Sequence, residues 1–477
     1  MERTIQTVGL RQNVRWLPAD MDTPISLFMG MAKGKDGILL ESAEVDGRWG
    51  RYSILATDMA LCLSCRGGRL AVDVRDARLE PLAGYDGMPF VEGVRGVMRS
   101  LEIIPDPSAV LPPITRSLCG YFGFGMAGLF NSKLASALRP EDAECILCLP
   151  GTMMLFDHMY NRLAQVSLGD HQPVFGSHAA MYAELPSEGI EEEMVSSAPG
   201  GEGFMSVVER IKELLRQGEA IQVVPSVNFS APFGGDPLTL YRRMRCGNAS
   251  PYMFFMRIPG ITLFGSSPEV MVKCDGGRLL TAPIAGTRRR GRTVAEDDAL
   301  AEELLADPKE RAEHMMLVDL GRNDLGRLAV PGSVEVERLM MVERFSHVMH
   351  LTSRVTAQLE EGLDALDVLA ATFPAGTVSG APKLRAMEII AEMEGRPRGP
   401  YAGCIGWLGL DKDAVHLDTG ITIRSMWVKD ARLNWQAGAG IVFDSDPALE
   451  WKEVRNKSAI MRQVCMPSGG WYVPSHR

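Results

Sequence analysis

Glutamates recur three residues apart in two charged stretches of this chain, Glu310 and Glu313 in "DPKERAEHMMLVDLGRND" and Glu450 and Glu453 in "EWKEVRNK". On a helix, positions three and four apart share a face, so each pair projects its carboxylates together and Lys457 follows on the side of Glu453. Either stretch alone reads equally well as a solvated helix face with Glu–Lys pairing. Two such pairs converging could hold one hard cation. Oxygen ligands and incomplete protein coordination suit Mg²⁺, which keeps waters and takes substrate oxygens. Four carboxylates would leave that ion in a negative surround, so an anionic substrate needs cationic side chains nearby. Arg424, closing "GITIR", and Lys457 are the candidates.

Three further stretches could do chemistry. "GTVSGAPKLRAMEIIAEMEG" (376–395) is a Gly/Ser turn, then Pro382 near a helix start, then a periodic helix closed by Gly395. Backbone N–H groups exposed at such a start suit a carboxylate or phosphate, although plain helix punctuation explains the pattern as well. It does not satisfy the G-x-x-x-x-G-K-[ST] phosphate loop. "AGAGIVF" (437–443) combines small residues that would let a ligand approach the backbone, or make a tight strand turn. His350 in "FSHVMHLTS" and Glu269 in "GSSPEV" are possible acid–base groups, each of which could also be structural.

The elements that must position these residues belong to a long globular chain. Its 477 residues suffice for two or three domains, with 46% apolar and 23% charged residues. A net charge of −10 argues against a nucleic-acid scaffold, which is normally basic. The N-terminus lacks an apolar run of secretory length and no stretch approaches 18 consecutive apolar residues, which implies a soluble, cytoplasmic protein without a membrane span. Nine dispersed cysteines read as reduced thiols. The pairs Cys62/Cys65 and Cys145/Cys148 have zinc-ligand spacing but sit in apolar, strand-like runs, where residues three apart point to opposite faces, so buried free thiols fit better.

Residues 36–175 read as short strands with interspersed helices, such as "VEGVRGVMRSLEII". The acidic, then Ser/Pro/Gly-rich stretch 185–203 is the best linker candidate, dividing an N-terminal part (1–190) from a second part (205–470). Beyond it the spacing predicts a helix ending at Gly218, a strand over "IQVVPSVNFSAPF", successive strands over 251–286, a single charged helix over about 295–320, further strands, and a last helix carrying "EWKEVRNK".

In order along the chain, "PIAGTRRRG", "ERAEHMMLVDLGRNDLGR", "FSHVMHLTSRV", "GTVSGAPKLRAMEII", "ITIR" and "AGAGIVFDSDPALEWKEVRNKS" resemble the chorismate-binding enzyme family. Within it they are most similar to the branch that aminates chorismate to anthranilate. The resemblance is strong over about 205–465 and reaches the N-terminal part through "LLES" (39–42). It implies an α/β (α+β) fold, a large sandwich of facing antiparallel β-sheets with helices outside, and a cleft for chorismate and Mg²⁺.

Carried over by position, the resemblance makes Glu310, Glu313, Glu450 and Glu453 metal ligands and Glu269 the general acid for the departing 4-hydroxyl. His350 lies near the substrate. Thr287, Thr377, Ser379, Gly380 and Ala381 bind substrate, the last four at the ring carboxylate. Tyr401 and Arg424 hold the enolpyruvyl carboxylate, Gly438 and Gly440 line the same pocket, and Lys457 stands at its edge. Relatives that use water carry a lysine base where this chain has Gln222, and those that aminate at C4 carry a nucleophilic lysine where it has Ala285. Both positions therefore point to amination at C2 followed by loss of pyruvate.

The resemblance further implies ammonia from a separate glutamine amidotransferase subunit, hence a hetero-oligomer. It also implies tryptophan feedback at Glu41, Ser42, Asn248, Tyr252, Met253 and Phe254. Ala249 stands in Asn-Ala-Ser-Pro where proline is usual, which changes the shape of that regulatory site. Trp407 and Ser425 depart from the commoner Tyr and Thr without removing a catalytic group. Two rival readings are a 2-amino-2-deoxyisochorismate synthase that does not eliminate pyruvate, and a non-catalytic tryptophan sensor, which would be expected to lose the glutamates this chain keeps.

Overall fold

The computed structural model of the protein describes residues 7–20, 22–32, 34–42, 50–169, 189–247, 250–345 and 348–466. A sheet of 21 strands dominates, with a separate two-stranded ribbon. Pairing is antiparallel almost throughout; Val8–Pro18 runs parallel to Leu101–Ile104. Helices pack on the outside. Gly201–Arg216 buries Phe204, Val208, Ile211, Leu214 and Leu215, the apolar stripe that its sequence spacing predicts. It leans on the last helix, Pro447–Cys465, where the Phe204 and Trp451 rings lie 5.9 Å apart.

The two parts of the chain share this sheet. Gly37–Glu41 pairs with Tyr252–Ile258, Glu41 opposite Met253, and Ser117–Phe122 pairs with Cys404–Gly409, Phe122 opposite Cys404. The largest buried cluster runs from Val8 to Cys465 and draws on both parts. Strands covered on both faces read as continuous apolar runs rather than alternations. Ser117–Phe122 is buried at every position, and Cys145–Asp157 at all but Ile146. Each large side chain so buried contributes roughly 1.5–3 kcal/mol.

Several local expectations are revised. The charged stretch is two helices, Val294–Ala306 and Pro308–Gly326, because Asp307 ends one and caps the next. "VEGVRGVMRSLEII" is a helix only to Ser100 and then a strand, Leu101–Ile104. The expected linker is structured from residue 189 onward: Ser196–Ala198 adds to the sheet beside Ser226–Pro232, and the next helix begins at Gly201. All nine cysteines are free thiols, and Cys62 faces Cys148 in register with the sulfurs 3.3 Å apart. Among the described residues no helix is long and apolar enough to cross a membrane.

Candidate active site

Both glutamate pairs sit at the start of helices built the same way. Asp307 caps Pro308–Gly326 by accepting from the Lys309 and Glu310 amides, and Asp446 caps Pro447–Cys465 by accepting from the Ala448 and Leu449 amides. Proline at the first helical position fits because its missing N–H has no helical partner there. The Asp-Pro start thus sets Glu310 and Glu450 in the first turn, where the positive end of the helix dipole favours carboxylates. Glu313 and Glu453 stand one turn further in.

The two helix starts feel each other. Burial raises the Glu313 carboxyl above its ordinary range, with Glu310 and Glu453 adding repulsion and Gln222 and Lys457 opposing. Burial likewise raises Glu450, helped by Glu453 and countered by Ser445, Lys309 and Lys457. Glu450 Oε2 is buried with no hydrogen-bond partner. Crowded, partly buried carboxylates with an orphaned oxygen are the right donors in kind for a divalent cation. Their other oxygens pair with protein groups: Glu310 with Arg288 at 3.1 Å, Glu453 with Lys457 at 2.7 Å, and Glu313 with Gln222 at 3.3 Å. Among the described residues no ready-made cluster of three metal-ligating side chains occurs.

Gln222 is the centre of a stitched junction. Its short strand pairs with Gly380–Ala381, Gln222 opposite Ala381, while the Ile221 amide donates to the Ala381 carbonyl and the Val224 amide to the Ser379 carbonyl. On the other side, Val223 and Ile441 exchange backbone hydrogen bonds, which brings Gly440 against the Gln222 side chain. Gly380 must be glycine here: its φ is +132°, and a Cβ would lie 2.1 Å from the Gln222 carbonyl oxygen. Gly438 admits Tyr401 in the same way, since a Cβ there would stand 3.0 Å from the phenol oxygen and 2.6 Å from the Pro225 carbonyl.

Glu269 occupies the bend between strands Ile261–Ser267 and Val270–Asp275. Burial pushes its carboxyl up to about 7, with Thr377, Arg424 and Lys457 pulling it partly back. Thr377 Oγ1 faces it too loosely for a hydrogen bond of normal geometry and has no other partner. Arg424 was expected at a strand end. The strand His416–Ile421 stops short of it, and Arg424 lies in a kink at φ +47°, a strained backbone for a non-glycine residue. Part of its surface is reachable by water, yet protein surrounds it almost completely, as at the bottom of a cleft; the surrounding protein governs its electrostatics and lowers its pKa, with Glu269 opposing. Arg424 and Glu269 are thus electrostatic neighbours.

His350 Nδ1 lies 2.8 Å from the Gly286 carbonyl and 3.2 Å from Thr287 Oγ1. A carbonyl only accepts, which assigns the proton to Nδ1 and leaves Nε2 as an acceptor. Burial lowers the His350 pKa, so the ring is neutral at pH 7. Tyr401 is buried, with its hydroxyl raised to about 12. Lys457 Nζ donates to the Gly438 carbonyl at 3.2 Å, tying the last helix to the strand Arg432–Gly438.

Glu41 and Met253 lie directly opposite each other on the paired strands, and Phe254 is the next residue along, opposite Leu40. Glu41 is buried and accepts from Tyr241 at 2.7 Å and from Arg245 at 2.9 and 3.0 Å. Tyr252 alternates to the other face and donates to Asp418 at 2.6 Å. Ser42 is held at its carbonyl by the Gly50 amide, and Asn248 and Ala249 fall outside the described residues.

Sequence reasoning missed the pair that braces the cleft. Buried Arg398 donates to Glu394 at 2.7 Å, to the Val378 carbonyl at 2.9 Å and to the Val224 carbonyl at 2.6 Å. Glu394 in turn accepts from the Ser226 amide at 2.8 Å. One ion pair thereby locks the Gln222 segment to the Thr377–Ala381 loop. The i, i+4 spacing of Glu394 and Arg398 was visible, but the carbonyls they brace are far away in sequence. Arg288, which bonds Glu303, Asp307 and Glu310, was likewise hidden inside an arginine run.

The model of the chorismate binding enzyme family matches residues 88–463. The chain is 38% identical over 470 residues to "Anthranilate synthase component 1" of Pseudomonas aeruginosa, covering 94% of each. It is 39% identical to the protein of that name from Neisseria gonorrhoeae, over 96% of this chain and 95% of the other. Among solved structures, anthranilate synthase component I from Streptococcus pneumoniae superimposes with a TM-score of 0.70 at 33% identity, covering 87% of this chain and 92% of its own. The menaquinone-specific isochorismate synthase of Escherichia coli reaches 0.71 at 20% identity over 97% and 96%, a likeness of fold alone.

Proposed function

The chain belongs to the chorismate-binding enzymes, and on that premise we propose that it converts chorismate and ammonia to anthranilate, pyruvate and water. Relatives matched over nearly their whole length are named for that activity. The observation that carries the choice is chemical. The chain holds a buried acid that keeps its proton near neutrality, Glu269, while Gln222, bonded to Glu313, stands where relatives that use water carry a base. Water needs a base to attack; ammonia does not.

In the proposed reaction nitrogen bonds to C2 as the ring electrons shift and the C4–O bond breaks. The Glu269 proton goes to the leaving hydroxyl, which departs as water, and the new ammonium group loses a proton. His350 Nε2 is suited to take the remaining C2 proton as the enolpyruvyl C–O bond breaks, giving an aromatic ring and pyruvate. Thr377 with the Ser379–Ala381 backbone would hold the ring carboxylate, and Arg424 with Tyr401 the enolpyruvyl carboxylate, with Thr287, Gly438, Gly440 and Lys457 shaping the pocket. Glu310, Glu313, Glu450 and Glu453 would hold Mg²⁺, which neutralises carboxylate charge as the hydroxyl leaves. The name component 1 supports a glutamine amidotransferase partner that supplies ammonia. Tryptophan feedback through Glu41, Ser42, Asn248, Tyr252, Met253 and Phe254 and a cytoplasmic setting complete the reading.

The test is to incubate the purified chain with chorismate, Mg²⁺ and ammonium, with and without tryptophan. Anthranilate fluorescence that requires Mg²⁺ and falls with tryptophan is expected. Chorismate consumption without fluorescence would show that the reaction stops at 2-amino-2-deoxyisochorismate and overturn the proposal.

A further inference from the structure

Glu269 must regain a proton in every turnover, and the residue is only 7% exposed. Behind it lies a chamber of about 30 Å³. Of the proposed site residues only Glu269 and Thr377 line it; its far wall is the helix Pro308–Gly326, through Leu317, Gly321 and Asp324. A water needs roughly 10–15 Å³ of such space and two or more polar partners. Thr377 Oγ1, buried and unpartnered, supplies one partner and the two carboxyls supply others.

Asp324 is the group that makes the chamber more than a packing defect. Its Oδ2 accepts from Lys383 Nζ at 2.6 Å, and Lys383 also donates to the Thr372 carbonyl at 3.1 Å. A buried ion pair gains little stability over well-packed apolar residues, so this one is weak as a purely structural device. The Asp324 side chain retains 11% exposure against 6% for Lys383, so solvent reaches the pair on the Asp324 side. Arg327 also acts on Asp324, and Arg424 and Lys457 act on Glu269 from the cleft side.

We propose that this chamber is the proton-return path of Glu269, with Asp324, held by Lys383, as its outer station and water between them. The inference rests on the proposed reading of Glu269 as the general acid. A proton from bulk water bonds to the Asp324 carboxylate, passes from it to chamber water, and a proton of that water passes to the Glu269 carboxylate. Each transfer makes one O–H bond as it breaks another, and Asp324 ends ionised against Lys383. Asp324 acts through water and is a positioning and relay residue.

Two variants test the path. Asp324→Asn with Lys383→Met removes the outer station without stranding a charge. Gly321→Ala adds a methyl to the wall, its Cβ 3.0 Å from Thr281 Cγ2, while leaving every titratable group in place. Alanine is the better helix former, so this second variant should fold. Turnover is read as chorismate consumption, which measures the hydroxyl-leaving step whether or not anthranilate is the product. In both variants kcat should fall about tenfold, with the chorismate KM unchanged, a larger solvent deuterium isotope effect on kcat, and recovery as the pH is lowered and hydronium becomes abundant. A merely structural role would not move the isotope effect or the pH profile. A folded variant of either kind with the wild-type kcat, isotope effect and pH profile overturns the proposal, and if the double variant does not fold, Gly321→Ala decides alone. Failure of the functional reading looks different, because the wild-type chain itself would then not consume chorismate with ammonium, and both inferences would fall.

Discussion

Glu269 keeps its proton because burial disfavours the charged carboxylate more than Thr377, Arg424 and Lys457 favour it. Its ordinary value is 4.5 and its folded value about 7, so the sign of the linkage is fixed. Below the lower value both states are protonated and folding is unaffected. Between the two, the unfolded chain ionises and stability falls, and above the upper value the penalty is complete. Activity follows the same group. At a constant concentration of unprotonated ammonia, kcat/KM should fall with a one-proton slope above about pH 7, as it reports the free enzyme's essential acid. Glu269→Gln should lower kcat by about 10²–10⁴ while melting at a higher temperature than the wild type at alkaline pH. A variant with wild-type kcat would remove Glu269 from the acid's role. His350, its Nδ1 committed to the Gly286 carbonyl and its pKa lowered by burial, is not the acid that this profile would report.

The carboxylate pairs are made by helix starts rather than by the glutamates alone. Asp307 and Asp446 each cap two amides and precede a proline, so both helices enter at fixed angles with a glutamate in the first turn. Asp307→Ala and Asp446→Ala should each lower stability by about 1 kcal/mol. Asp307 should be the costlier loss because it also holds Arg288 at 2.8 Å. Both substitutions should raise the Mg²⁺ concentration needed for half-maximal turnover, measured beside thermal melting. A melting change with an unaltered Mg²⁺ requirement would show that the caps do not position the proposed metal ligands. The Asp-Pro signals are present in the sequence, yet charge and periodicity continue through Asp307, so the stretch 295–320 reads as one helix and only the cap geometry shows where the chain turns.

At the scale of the molecule, the proposed division near 190–205 does not separate two sheets. Gly37–Glu41 and Ser117–Phe122 are paired with strands of the second part, so a fragment beginning at Gly201 would expose two long apolar edges. Such a fragment should aggregate, whereas the full chain should melt in one transition; a monomeric, folded fragment seen by light scattering and circular dichroism would refute this. The glutamate spacings, the helix bounded by Pro382 and Gly395 and the buried strands are local signals, and they were legible because periodicity and capping act within a few residues. Gln222 was recognisable only by resemblance, and the small-residue turns holding Ser379, Gly438 and Gly440 were visible locally without showing that they meet, since that depends on segments far apart in the chain. The i, i+4 spacing of Glu394 and Arg398 was legible but the carbonyls they brace were not, and nothing in the sequence marked the chamber between Glu269 and Asp324. Residue types and spacings set the chemistry available: four paired carboxylates, an acid, a histidine and no lysine at positions 222 and 285. Which of them meet, how far burial moves their protons and what lies behind them follow from the fold, because desolvation and through-space charge depend on long-range packing that no short segment encodes.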